Sequence, residues 1–266
     1  MEANEGNAVM SDRPKSLSEK IEKTSENPEL KNGKARRGRN KKYVVDLRIH
    51  SPASLGYMKI EGIDTAPALV RLAKVKGLDV IAVTDFYSGN FIDPMVEAAR
   101  ESDLTVIPGV VIRCAIKSCN DVVLLCLFPE EYGTEDVEHF MLELGIPRSS
   151  FGDERYTVDM ELSEILNVLE KHGGEAMPSR MDKTPYRMGA IPELVEKYGF
   201  RAFDLAYADS ASFFKKNWPR TKFQLFSFSN ANSLAQVGSR SAKIKLSTPG
   251  FEGLKKVVSR VTAASA

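Results

Sequence analysis

The sequence predicts an α/β domain built on a parallel, barrel-like sheet. Short β-branched runs alternate with helical patterns along most of the chain, the order expected of repeated strand–helix units. Polar side chains collect where the predicted strands end, at His50, Asp85, Asn120, Arg180 and Asn230. In barrels that rim carries the chemistry. A chain of 266 residues fits one such domain, and neither an internal repeat nor a second domain interrupts the pattern.

Taken in order, Tyr43–Ser51 alternates apolar residues with Asp46, Arg48 and His50 and stops at Ser51-Pro52, which predicts a strand. The three ionisable residues at i, i+2 and i+4 share one face of it. Turn formers fill residues 51–62. A helix begins near Asp64-Thr65, with a cap residue and Pro67 in its first turn, and Gly77 closes it. Leu78–Thr84 is an apolar strand that ends at Asp85, and a helix spans Ile92–Glu101. Strand Leu104–Ile107, the turn Pro108-Gly109, and strands Val110–Ile116 and Asp121–Phe128 follow.

Helical periodicity occupies Glu135–Leu144 and Asp159–His172, the second closed by Gly173-Gly174. Strand Glu175–Met177 leads into a loop at Pro178–Pro185. Helix 190–198, strand 200–207, helix 209–217 and strand Lys222–Phe228 come next. The loop Ser229–Arg240, strand Ala242–Leu246 and helix Gly250–Arg260 complete the domain, placed at 43–262.

Residues 1–42 read differently. They lack apolar periodicity, are rich in Asn, Glu, Lys, Ser and Gly, and carry a charge of +4 against −3 for the remainder. That composition predicts a disordered, basic-ended tail. Seven basic residues fall within 31–42, a run expected to be solvated or to make weak nucleic-acid contact. No hydrophobic run suits a signal peptide or a membrane span. Cys114, Cys119 and Cys126 lack a disulfide or metal-knuckle spacing, so free thiols in a reducing cytoplasm are expected. His139 and His172 fall in helical stretches and read as surface residues.

The strand-end motifs carry a family resemblance. Asp46-Leu47-Arg48-Ile49-His50 resembles the first motif, Asp-x-His-x-His, of the PHP (polymerase and histidinol phosphatase) superfamily, with Arg48 at the first histidine. Thr84-Asp85-Phe86 resembles Thr-Asp-His, and Pro108-Gly109-Val110-Val111 resembles Pro-Gly-x-Glu. Asn120 or a neighbour falls where a histidine precedes the next strand. Ala176-Met177-Pro178 resembles Ala-His-Pro, and Ser229-Asn230-Ala231-Asn232 resembles Ser-Asp-Ala-His. The resemblance covers Tyr43 to Arg260 and implies a distorted seven-stranded (βα)7 barrel. It also implies a two- or three-metal centre of zinc, manganese or iron that activates water against a phosphoester.

The residues at the matched positions undercut the metal centre. Divalent ions bind neutral imidazole or anionic oxygen, whereas these positions hold Arg48, Phe86, Val111, Met177, Asn230 and Asn232. His50 is the only retained ligand candidate, with Asp46 and Asp85 at positions that orient ligands. Arg48 has two readings: a clamp paired with Asp46 or Asp85, or a phosphate contact made with Arg113, Arg180, Lys183 or Asn230. The candidate ligand-binding set is Arg48, His50, Asp85, Arg113, Asn120, Arg180, Lys183, Asn230 and Asn232, with no cofactor.

The leading functional expectation is a non-catalytic PHP-type protein that binds a phosphorylated small molecule or a protein partner. The alternative is an active phosphoesterase with one Zn, Mn or Fe ion, in which His50 is ligand or base, Asp85 a base and Arg48 a transition-state stabiliser. A third reading is an accessory module of a DNA-processing or defence complex.

Overall fold

The computed structural model describes residues 41–261, and the predicted tail lies outside them apart from Lys41 and Lys42. Those two lysines open strand β1 (Lys41–Ile49), where they pair antiparallel with Leu246 and Lys245 of β8 (Ala242–Leu246). The remaining strands are β2 (Val80–Phe86), β3 (Thr105–Ile116), β4 (Cys119–Leu127), β5 (Glu175–Pro178), β6 (Ala202–Asp204) and β7 (Gln224–Phe226). The helices are α1 (Thr65–Val75), α2 (Ile92–Ala99), α3 (Thr134–Glu143), α4 (Leu162–Lys171), α5 (Pro185–Met188), α6 (Ile191–Glu196), α7 (Ala211–Asn217) and α8 (Phe251–Val258).

The sheet departs from a (βα)7 barrel. Six strands form one curled sheet in the order β5-β4-β3-β2-β1-β8, and β6 and β7 form a separate parallel pair. Only β1–β2, β2–β3 and β6–β7 are parallel, whereas β1–β8, β3–β4 and β4–β5 are antiparallel. The physical reason lies in the connections. A two-residue turn joins β3 to β4, which permits a hairpin and forbids the long crossover that a parallel neighbour needs. What joins the two sheets is sparse: isolated bridges link Ser179 to Asp204 and Ile49 to Ala231. The result is a partial barrel.

Pro108-Gly109 is not a turn. β3 runs straight through it, with Val83 opposite Pro108 and Thr84 opposite Gly109. The Pro108 carbonyl accepts from the Phe128 N–H at 2.9 Å. The glycine serves close approach: a Cβ added there would meet the Cys126 carbonyl oxygen and the Thr84 methyl at 2.8 Å. The long strands read at 200–207 and 222–228 shrink to three residues each, and the loop 178–185 contains the N-cap and start of α5.

Burial holds the layers together. Leu69, Val70 and Ala73 of α1, with Met95 and Ala99 of α2, pack on Ile49, Ile81, Val83 and Val106. A larger cluster joins β2–β5 to α3, α4, α6 and α8 through Phe140, Leu166, Leu194 and Leu254. Cys114, Cys119 and Cys126 are free thiols within that apolar interior. No helix among the described residues is long and apolar enough to cross a membrane.

Replacing Gly109 by alanine is expected to destabilise the domain by about 1–3 kcal/mol, since it forces atoms into a filled strand junction. Thermal unfolding followed by circular dichroism should show Tm lowered by several degrees. An unchanged Tm would mean that β3 and β4 separate freely to admit a methyl group.

Candidate functional site

The site lies where β1, β2 and β5 and the segment after β7 converge. Arg48 sits at its floor, 2% exposed. Its Nε donates to Asn230 Oδ1 at 2.6 Å and its NH1 donates to the Ser179 hydroxyl. Ser179 Oγ in turn donates to Asp204 Oδ2 at 2.5 Å, and Asp204 Oδ1 accepts from the Phe228 N–H at 3.0 Å. The Arg48 guanidinium therefore pairs with neither Asp46 nor Asp85; only its backbone N–H reaches Asp46 Oδ1, at 3.4 Å. A serine hydroxyl relays its charge to a buried carboxylate on β6 that sequence reasoning did not single out. Burial lowers the guanidinium pKa to about 10, with Asp204 opposing the shift, so Arg48 stays charged at neutral pH.

The other two ionisable groups of β1 are also buried and occupied. Asp46 accepts the backbone N–H groups of Ser229 at 3.1 Å and Gly238 at 3.2 Å, which docks the post-β7 segment on β1. Burial raises its pKa to about 6 against those hydrogen bonds. His50 stacks on Phe86 with ring centres 5.6 Å apart. Its Nδ1 lies 3.4 Å from Ser54 Oγ and 4.0 Å from Asp85 Oδ1. Burial first, and Arg48 second, lower its pKa to about 3, so the imidazole is neutral. Asp85 accepts from Ser51 N–H at 2.7 Å, Ser51 Oγ at 2.5 Å and Ser54 Oγ at 2.6 Å, and burial pushes it upward.

Above this floor opens a cavity of about 220 Å³. Arg48, Arg113, Arg180, Lys183 and Arg187 line it with cations, against the single carboxylate of Glu154. The guanidiniums of Arg48 and Arg113 lie 5.7 Å and 5.4 Å from the Phe86 ring centre, within cation–π range. Asp121 holds Arg113 NH1 at 2.8 Å and Arg187 NH2 at 2.7 Å, which fixes two guanidiniums with one carboxylate.

Two features mark the cavity as built for something. Among the described residues, four buried side-chain polar atoms lack a hydrogen-bond partner: Tyr57 Oη, Arg113 Nε, Arg180 NH1 and Asn232 Oδ1. All four residues line this cavity. Tyr87, Arg180 and Asn230 are the non-glycine residues with left-handed φ, at 49°, 54° and 51°. Each follows the end of a strand at the site, and such strain concentrates where function holds it.

Of the predicted residues, Arg48, His50, Arg113, Arg180, Lys183, Asn230 and Asn232 line the cavity, and Asp85 lies beneath it. Asn120 does not. It sits beyond the β3–β4 turn, exposed and bonded to the Tyr186 hydroxyl at 3.0 Å, while Val123 is the β4 residue that faces the cavity. Tyr57, Arg187 and Asp204 were missed. The pair Thr184-Pro185, a cap followed by proline at the first helical position, signals the short helix that carries Arg187. His139 is exposed, but His172 is half-buried between Tyr132 and Phe140 and bonds Glu143 at 2.9 Å.

The donor set does not fit a metal centre. No group of three or more His, Cys, Asp or Glu side chains among the described residues is placed to hold an ion. Val111 and Met177 are fully buried in the apolar core, and Arg48 puts a fixed positive charge close enough to His50 to disfavour a second cation there.

No family model matches the sequence, and no curated protein matches it. Solved structures do resemble it. A lesion-specific endonuclease from Pyrococcus furiosus, PfuEndoQ, superposes with TM-score 0.58 and 18% identity over 82% of this chain, which spans 56% of the endonuclease. A protein assigned as a metal-dependent phosphoesterase from Bifidobacterium adolescentis matches with TM-score 0.52 and 12% identity, covering 80% of this chain and 94% of that one. An amidohydrolase from Chromobacterium violaceum, solved with sulfate and no metal, matches with TM-score 0.54 and 12% identity over 84% and 99% of the two chains. At these identities the likeness concerns the fold alone.

Asp204→Asn is expected to cost about 3–5 kcal/mol, because it leaves the buried Arg48 charge without its carboxylate. Adding Arg48→Met to that variant should restore much of the loss. Urea midpoints of the single and double variants check this, and strictly additive losses would refute the coupling.

His50 gives a pH signature. The unfolded chain takes up a proton near 6.5 but the native chain only near 3. Stability from His50 is thus fully present above pH 6.5 and declines, by about 1.4 kcal/mol per unit, as pH falls towards 3. Imidazole carbon shifts should stay flat from pH 7.5 to 4.5. A His50 midpoint near 6.5 would contradict the buried neutral ring.

Proposed function

We propose that the protein binds a phosphorylated ligand without a metal, on a PHP-type barrel whose metal-ligand positions have been replaced and whose chemistry has been lost. The observation that carries this reading is the cavity: five cationic side chains face one carboxylate, and buried guanidinium nitrogens of Arg113 and Arg180 have no partner inside the protein. A buried donor left unpaired costs free energy that a ligand acceptor recovers. Arginine suits phosphate because charge-assisted N–H groups meet its oxygens in fixed geometry.

The roles divide by what each residue already contacts. Arg48 is held by Asn230 and Ser179, so it supplies field at the floor. Arg180 and Lys183, which follow β5, are available to grip an anion, and so is Arg113, whose NH1 Asp121 holds while its Nε stays unpartnered. The likeness to an amidohydrolase that held sulfate with no metal is in keeping with an anion site on this fold.

A second reading draws on the neighbour assigned as a metal-dependent phosphoesterase. A zinc, manganese or iron ion would there recruit His50, and would supply a Lewis acid and an activated water. Against it, Asp85 is occupied by Ser51 and Ser54, and the His50 Nδ1 edge faces them. The role of the basic run in nucleic-acid contact stays with residues outside the described part.

Isothermal titration with methyl phosphate should show one saturable site per chain, weakened about tenfold or more in Arg180→Ala by loss of a charged hydrogen bond. Freshly purified, untagged protein should contain far less than one Zn, Mn or Fe ion per chain, and chelators should leave Tm unchanged. Absence of methyl phosphate binding at millimolar concentration would sink the proposal. A stoichiometric metal lost in His50→Ala would replace it with the phosphoesterase reading.

A further inference from the structure

The unpartnered atoms of the cavity are of two kinds. Arg113 Nε and Arg180 NH1 are cationic donors, whereas Tyr57 Oη and Asn232 Oδ1 belong to neutral groups, and the last is an acceptor. The neutral pair is held together. The Met58 N–H, next to Tyr57, donates to the Asn232 carbonyl at 2.8 Å, and the Asn232 N–H donates to Gln236 Oε1 at 2.9 Å. Backbone hydrogen bonds therefore fix both residues beside each other on one flank of the cavity.

A bare phosphate dianion offers acceptors only. It can pair the guanidiniums, but it leaves the Asn232 carbonyl oxygen facing another acceptor. A ligand hydroxyl resolves both needs, because it donates to Asn232 Oδ1 and exchanges a hydrogen bond with Tyr57. Space permits this: at roughly 30 Å³ per water-sized group, a cavity of about 220 Å³ holds more than a phosphate. Resting on the phosphate reading above, we propose that the ligand is a polyol phosphate, with its phosphate on Arg113 and Arg180 and a hydroxyl on Tyr57 and Asn232.

The test compares two phosphate esters of matched size, glycerol 3-phosphate and propyl phosphate, by isothermal titration against the whole chain. Glycerol 3-phosphate should bind about tenfold more tightly, the discrimination expected when buried polar groups of a site are left unpaired by the analogue. Tyr57→Phe and Asn232→Ala should each shrink that ratio towards one. The ratio in the unaltered protein decides the matter even if a variant folds poorly. Equal affinity, or tighter propyl phosphate, overturns the hydroxyl subsite and leaves the phosphate reading standing. Binding of neither ester overturns both.

Discussion

The structure turns on a buried guanidinium. A backbone ladder does not close the six-stranded sheet onto the β6–β7 pair, and the isolated bridges at Ser179–Asp204 and Ile49–Ala231 are thin. Arg48 spans that seam. From β1 it reaches Asn230 after β7 and Ser179 at the end of β5, and through Ser179 it reaches Asp204 on β6. A buried charge without partners costs several kcal/mol. The four segments are therefore obliged to meet around it, and a hydroxyl relay separates cation from carboxylate while satisfying both.

That hub also decides what else the site can hold. Two unit charges 4 Å apart repel by about 4 kcal/mol at an effective dielectric constant near 20, and a divalent ion doubles this. One imidazole, already stacked on Phe86, does not offset such repulsion. Burial keeps His50 neutral, and Arg48 pushes in the same direction. The same field favours an anion. A guanidinium at this position thus sets the sign of ligand that the rim attracts.

Much of this was legible in the chain. The alternation Asp46, Arg48, His50 placed three ionisable groups on one strand face, and all three are buried at the site. Arg180 and Asn230 stood at predicted strand ends, and both line the cavity. What stayed hidden was long-range. Ser179 and Asp204 complete the Arg48 relay across 131 and 25 residues of sequence, a pairing that no local pattern encodes. Pro108-Gly109 misled because turn chemistry and close strand packing both call for glycine, and only the position of the Cys126 carbonyl distinguishes them. Asn120 misled because register in a hairpin depends on turn length, and the β3–β4 turn puts Val123 opposite Arg113. Arg187 was obscured by a helix only four residues long, too short for periodicity to reveal.

The cation cluster is costly to the folded state, and that cost is itself informative. Desolvation weighs most on the Arg48 charge, and Arg180, Arg187 and Arg113 each act on it in the same unfavourable direction. Asp121 neutralises only part of it by serving two guanidiniums at once. Arg180 and Asn230 carry left-handed backbone conformations without the freedom of glycine. A fold selected for stability alone would carry apolar residues in their place, of the kind found at Val111 on β3 and Met177 on β5. Repulsion, strain and unpartnered donors persist together around one cavity, while Val111 and Met177 lie in the apolar core. An anionic guest would account for that pattern, since it offsets the repulsion and pairs the donors.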